Sequence, residues 1–147
     1  MASEANAAII KCPACGQANR VNPGTGDRQA ICGACRTPLV LAKPVIVTDA
    51  NFSEEVAKST VPVLLDLWAA WCGPCRIIAP VIEELAKDFA GRATVGKLDV
   101  DANPMTASRF NVQGIPTLLF IKDGKEVDRI VGVEPKQSIA ARLQRIL

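Results

Sequence analysis

Between Val61 and Ala70 the run VPVLLDLWAA is interrupted by one polar residue, Asp66. It reads as a strand covered on both sides, the pattern of a central strand. The rhythm then changes. From Cys75 to Phe89, the residues Ile78, Val81, Ile82, Leu85 and Phe89 recur at helical spacing and make one apolar face. Pro80 within that stretch is expected to kink the helix.

Similar alternation fills the rest of the chain after Pro44. PVIVTD is a short β-branched run, and NFSEEVAKS from Asn51 has the polar start and early glutamates of a helix. ATVGKLDVD predicts a strand, PMTASRF a short helix and PTLLFI another strand. KDGK centres a turn on Asp-Gly, so EVDRIVG returns as the second arm of a hairpin. Ile139, Leu143, Ile146 and Leu147 make a C-terminal amphipathic helix. The order βαβαβαββα predicts an α/β domain, a central mixed sheet with helices on both faces.

The first 40 residues follow neither rhythm and hold too few large apolar side chains to build a core alone. Pro38 to Pro44 reads as a linker, which divides the chain into residues 1–42 and 43–147. Three CxxC pairs punctuate the whole: Cys12/Cys15, Cys32/Cys35 and Cys72/Cys75. The loop VNPGTGD between the first two reads as a hairpin connection.

Composition narrows the chemistry. The chain has 147 residues, and its content of 49% hydrophobic and 22% charged residues is that of a globular protein. It has no histidine. Ser–His and Cys–His catalysis are therefore excluded, and proton transfer must use a carboxylate, lysine, thiol or water. No stretch approaches the ~18–20 apolar residues that span a bilayer. MASEANAAIIK lacks the basic n-region of a signal peptide, so a cytoplasmic protein with no membrane partner is expected. In that compartment thiols stay reduced and structural disulfides seldom form.

C-x2-C-x16-C-x2-C, formed by Cys12, Cys15, Cys32 and Cys35, lies within zinc-ribbon spacing. Four thiolates suit one tetrahedral Zn²⁺, and a module so poor in apolar mass would draw most of its folding energy from the metal. With every ligand position a cysteine, no place is left for a metal-bound water, so the site reads as structural. Iron in a rubredoxin-like knuckle, two disulfides, or a second redox pair at Cys32/Cys35 are the alternatives. Lys11, Arg20, Arg28 and Arg36 against Glu4 and Asp27 leave residues 1–40 with a net charge of +2. Zinc with four thiolates would neutralise it, which argues against a nucleic-acid partner, as does an aromatic content of 4%.

Cys72-Gly73-Pro74-Cys75 falls where the apolar strand gives way to the long helix. A thiol at a helix N-terminus faces unpaired N–H groups and the positive end of the macrodipole, which favour thiolate. Gly73 and Pro74 provide a spacing that lets the sulfurs close a small ring, and Pro74, lacking an N–H, suits the first helical turn. Cys72, nearer the exposed strand end, is expected to attack a substrate disulfide. Cys75, more shielded, would then resolve the mixed disulfide.

WCGPC from Trp71 resembles the active-site signature of the thioredoxin family. The likeness runs from about Val45 to the end, through DLWAAWCGPCR, KLDVDANP, GIPTLLFIKDGK and the Val131-Gly132 pair. The N-terminal extension is similar to that of the zinc-binding bacterial type, thioredoxin 2. The resemblance implies a thioredoxin fold preceded by a small zinc-ribbon module, acting as a general protein disulfide reductase and expected as a monomer. It implies a buried Asp66 that moves protons for Cys75, with Lys97 close to it; from physics alone Asp66 could equally face solvent. It further implies a cis peptide before Pro116, and a docking surface of Trp71, Gly114, Ile115, Val131 and Gly132 around Cys72. Ile115 and Val131 could otherwise be core, and Trp68 reads as packing. Electrons would come from a thioredoxin reductase carrying the NADPH and flavin, since no dinucleotide fingerprint is present here. Two other readings stay open: a zinc-ribbon binding module with the larger domain as scaffold, and an oxidase or isomerase.

Overall fold

A computed structural model of the chain describes residues 8–12, 14–21, 30–39 and 43–147. It divides into two compact units, Met1–Ala42 and Lys43–Leu147.

In the first unit, β1 (Ala8–Lys11) pairs antiparallel with β2 (Ala18–Val21), and β3 (Ala30–Ile31) with β4 (Pro38–Leu39). Each hairpin is closed by a CxxC turn: Gly16 N–H donates to Cys12 O and Arg36 N–H to Cys32 O, both at 2.9 Å. Cys12, Cys32 and Leu39 are buried with Ile10 and Ala30 against them, a very small core. The expected linker is corrected at its start. Pro38 and Leu39 belong to the β3–β4 ladder, and the buried Leu39 side chain is what ties them there. After Val21, the VNPGTGD connection lies outside the described residues, as do 40–42 of the linker.

The second unit is a five-stranded sheet in the order β5-β7-β6-β8-β9, made of β5 (Val45–Ile46), β6 (Val63–Trp68), β7 (Thr94–Asp99), β8 (Thr117–Lys122) and β9 (Lys125–Val131). The first three run parallel, and β8 and β9 are antiparallel additions. Helices α1 (Gly73–Asp88), α2 (Pro104–Arg109) and α3 (Lys136–Arg145) complete it. Side chains alternate across β6. Leu64 packs with Ile78, Ile82 and Leu85 of α1 and Ile139 and Leu143 of α3. Leu65 and Leu67 face the other way, toward Phe52, Val56 and the α2 residue Ala107. Each such Leu or Ile removed from water is worth about 1.5–3 kcal/mol, so both faces of the sheet contribute.

The helix expected over NFSEEVAKS contracts to a single π turn, Ser53–Ala57, in which Lys58 N–H reaches back five residues to Ser53 O. Asn51 is not its N-cap but the far arm of a reciprocal box with Thr48: its Oδ1 accepts from Thr48 N–H at 2.6 Å, its N–H donates to Thr48 Oγ1 at 3.1 Å, and its Nδ2 donates to Ile46 O at 2.9 Å. Among the described residues no helix is long and apolar enough to cross a membrane.

Candidate functional site

Strand β6 and helix α1 meet at the cysteines. Cys72 is the N-cap of α1, with extended backbone angles, and its Sγ accepts from Cys75 N–H at 3.2 Å. Pro74 in the first turn removes an N–H that no carbonyl could have taken. Cys72 and Cys75 are joined as a disulfide, their Cα atoms 5.3 Å apart. Both cysteines are buried in the disulfide form, Cys72 at 4% exposed and Cys75 at 3%. Both pack with Ala69, and Trp68, Val100 and Ile115 close over them.

One polar side chain lies deep behind this pair. Asp66 sits on β6, is 1% exposed, and neither carboxylate oxygen has a hydrogen-bond partner. Burial pushes its pKa up to about 7, with the nearby Lys97 ammonium pulling it back. Lys97 is its register partner across β7, yet its Nζ rests 5.1 Å from the Trp68 ring centroid and forms no ion pair with Asp66. Asp66, Lys97, Trp68, Cys75 and Arg76 line one cavity of about 280 Å³. The cavity runs from the carboxyl to Cys75.

The rim assembles residues from distant parts of the sequence. The Ile115–Pro116 peptide is cis. Gly132, at φ +97°, donates its N–H to Pro116 O at 2.8 Å, which ties the end of β9 to that loop. Val131 is 63% exposed, and its Cγ1 lies 3.4 Å from where a Cβ on Gly114 would stand. Val131 is thus surface and Ile115 half-buried beside the cysteines, so neither is simply core. Trp71, next to Cys72, is 69% exposed.

Two residues at this site go unremarked in the sequence reading. Asp101 accepts from the Trp71 indole N–H at 2.8 Å, fixing an exposed ring. Asp101 is held in turn through Asp99, whose Oδ1 accepts its N–H at 2.9 Å. Arg76 donates to Ala70 O at 2.6 Å from the cavity wall. Arg76 could have been suspected from its place directly after the CxxC. Asp101 could not, since thirty residues separate it from Trp71.

In the other unit the four sulfurs of Cys12, Cys15, Cys32 and Cys35 lie within 4.8 Å of one another. Cys12 and Cys35 are 3.5 Å apart, Cys15 and Cys32 3.7 Å. Tetrahedral sulfurs about 2.3 Å from Zn²⁺ would be about 3.8 Å apart, so the cluster fits a metal of that size. The Cys35 N–H, opposing burial and helped by the Ala34 N–H and the Asn19 amide, holds the Cys32 thiol down to about 6. Cys15 goes the other way, up to about 12: the Gln17 N–H lowers it, but burial and the Cys35, Cys32 and Cys12 sulfurs raise it more, so the four thiols are not ionised alike.

The thioredoxin family profile matches residues 43–145, which leaves the four-cysteine unit outside the match. A thioredoxin of Staphylococcus haemolyticus (strain JCSC1435) is 52% identical over 103 residues, 70% of this chain and 97% of that protein. A thioredoxin of Synechocystis sp. (strain ATCC 27184 / PCC 6803 / Kazusa) is 48% identical over 101 residues, covering 69% and 94%. Likeness at this level, spread over nearly the full length of those relatives, places the chain in the thioredoxin family, with protein-disulfide reductase as its activity and Cys72–Cys75 as its redox-active pair.

Proposed function

We propose that the chain is a general protein disulfide reductase of the zinc-binding bacterial type of thioredoxin, active in the cytoplasm as a monomer. The observation that carries this is a disulfide pair at a helix N-terminus whose inner member, Cys75, lines the same cavity as a buried, partnerless Asp66. The Cys72 thiolate attacks one sulfur of a target cystine. A new S–S bond joins Cys72 to the target, and the displaced sulfur leaves as a thiolate and takes a proton. Asp66 then removes the Cys75 thiol proton through the cavity, and the Cys75 sulfur attacks Cys72 Sγ. The target's second thiolate leaves, two electrons have passed to the target, and the pair is a disulfide again.

Gly73 and Pro74 set the ring and begin the helix. Lys97 moderates the charge on Asp66. Pro116, with Trp71, Gly114, Ile115, Val131 and Gly132, forms the rim where an extended target segment lies. Re-reduction falls to a thioredoxin reductase, which brings the NADPH and flavin. The expected division is a zinc-ribbon module and linker in residues 1–42 and the redox domain in 43–147.

Cys12, Cys15, Cys32 and Cys35 hold one Zn²⁺ in this reading, with all four positions filled and a structural role. The same thiolates could also give the module sensitivity to oxidation. Zinc retention under graded peroxide tests that: zinc held until Cys72, Cys75 and the fold are damaged would leave a structural role only.

Insulin reduction tests the main reading. Wild type is expected to be active, Cys72→Ser inert, and Cys75→Ser to accumulate a covalent mixed disulfide with its target. An inert wild type, or a Cys75→Ser that traps nothing, would overturn it. Metal analysis and thiol counting on one reduced sample should find one zinc, with only Cys72 and Cys75 readily oxidised.

A further inference from the structure

Asn19 stands on β2, four residues beyond Cys15, and its side chain spans both halves of the four-cysteine unit. Its Oδ1 accepts from Gly33 N–H at 2.9 Å. Its Nδ2 donates to Gln17 O at 2.8 Å and lies 3.5 Å from Cys32 Sγ. The Gly33 N–H can only donate, so it fixes the amide orientation: oxygen toward Gly33, NH₂ toward the sulfur. One half-buried side chain from the first hairpin thus grips the second cysteine turn at its backbone and at a ligand atom.

The two halves are not alike in this respect. Backbone N–H groups reach sulfur in both turns, Ala14 to Cys12 and Ala34 to Cys32, each at 3.4 Å. Cys35 lies 3.1 Å from the Thr37 hydroxyl. Among the described residues only Cys32 is approached by a side-chain amide. A metal-bound thiolate keeps much of its negative charge, so an N–H aimed at it makes a charge-assisted bond and orients the ligand. Asn19 also joins segments far apart in sequence, where a small core of Cys12, Cys32 and Leu39 gives few other cross-links.

We infer that Asn19 is a positioning residue of the metal site: it holds the Cys32 sulfur in ligating geometry, offsets its charge, and sets the register of the two cysteine turns. The inference rests on the reading that these four cysteines hold a metal.

Zinc affinity of the full chain, measured by competition with a chromophoric chelator, tests it alongside the spectrum of the Co²⁺-loaded protein. Asn19→Ala removes all three bonds. Asn19→Asp keeps the oxygen that Gly33 needs but removes both donors and puts a carboxylate beside the sulfur. Both variants are expected to lose about 10–100-fold in affinity, the range for such outer partners. Both should also shift the thiolate-to-cobalt charge-transfer band while the tetrahedral ligand-field bands remain. Insulin reduction by Cys72–Cys75 should not change. An Asn19→Asp that binds zinc like wild type, with an unshifted cobalt band, would overturn the inference and leave Asn19 a simple latch. If Asn19→Ala fails to fold its module, Asn19→Asp decides alone. A wild-type chain that binds neither zinc nor cobalt would overturn the metal reading first, and this inference with it.

Discussion

Asp66 is a carboxyl group with no hydrogen-bond partner, and the fold keeps it buried at a cost to stability that depends on pH. In the unfolded chain an aspartate titrates at about 3.9. Burial lifts Asp66 to about 7, so between those values the folded protein holds a proton that the unfolded chain has lost. The contribution of Asp66 to stability is therefore least unfavourable below about pH 4, worsens as pH rises toward 7, and then levels off. A shift of about three pH units corresponds to about 4 kcal/mol. Asp66→Ala should make the oxidised protein more stable at pH 8 by about 2–4 kcal/mol, the gain shrinking toward pH 4. Urea unfolding at both pH values checks this, and a gain that ignores pH would contradict it. The same variant should slow Cys75-dependent release of a trapped target. The burial of Asp66 was not decided by its neighbours in sequence: VLLDLW fits a strand with one wet face as well as one with none. What removes the first option is α1, which packs on the face of β6 that carries Leu64 and Asp66 and sets Cys75, Arg76 and Ala79 around the carboxyl.

Elements were legible where one periodicity ruled a long stretch, as in β6, α1 and the β8–β9 hairpin. The reading failed where a side chain bonded backward. Asn51 looks like a forward cap in one dimension and braces Thr48 in three. The sheet also has a tight point that periodicity does not reveal. A Cβ on Gly96 of β7 would stand 2.9 Å from Val47 Cγ2 and 3.3 Å from Leu65 Cδ1, both in packed surroundings. Gly96→Ala should cost about 1–3 kcal/mol by overpacking. Denaturant titration would show it as a lower midpoint with unchanged slope, and a neutral result would mean that β5 moves aside easily. Gly124→Ala combines a φ of +78° with a Cβ 3.1 Å from Ala57 O, so it should be destabilising as well.

At the scale of the whole molecule, the two units have separate cores of very unequal size. The larger has two apolar layers around its sheet, whereas the smaller depends on four sulfurs and a few side chains. Removing metal with a strong chelator under reducing conditions should unfold the small unit and leave insulin reduction intact. Tryptophan fluorescence reports only the large unit, because Trp68 and Trp71 both lie there. Loss of reductase activity in step with zinc would contradict this independence. The spacing of the six cysteines already separated the four that cluster from the pair that forms the disulfide. What it left out was the partner of each group, such as Asp101 for Trp71 or Asn19 for Cys32, because those bonds join distant segments.

The closed-over state of Cys72 has a consequence for target choice. In the disulfide form Cys72 is 4% exposed, and Trp68, Val100 and Ile115 pack against the pair. With the reduced pair as enclosed as the oxidised one, a globular surface cannot be pressed against it, and the incoming partner must arrive as a slender, uncoiled strip. Clients would then be ranked by how easily a few residues around their cystine peel away from their own domain. A protein with a rigid, interior cystine is expected to be reduced far faster in mild denaturant than in buffer, even after correction for its reducibility by dithiothreitol. Equal rates in the two conditions would show that local looseness is not what is being selected.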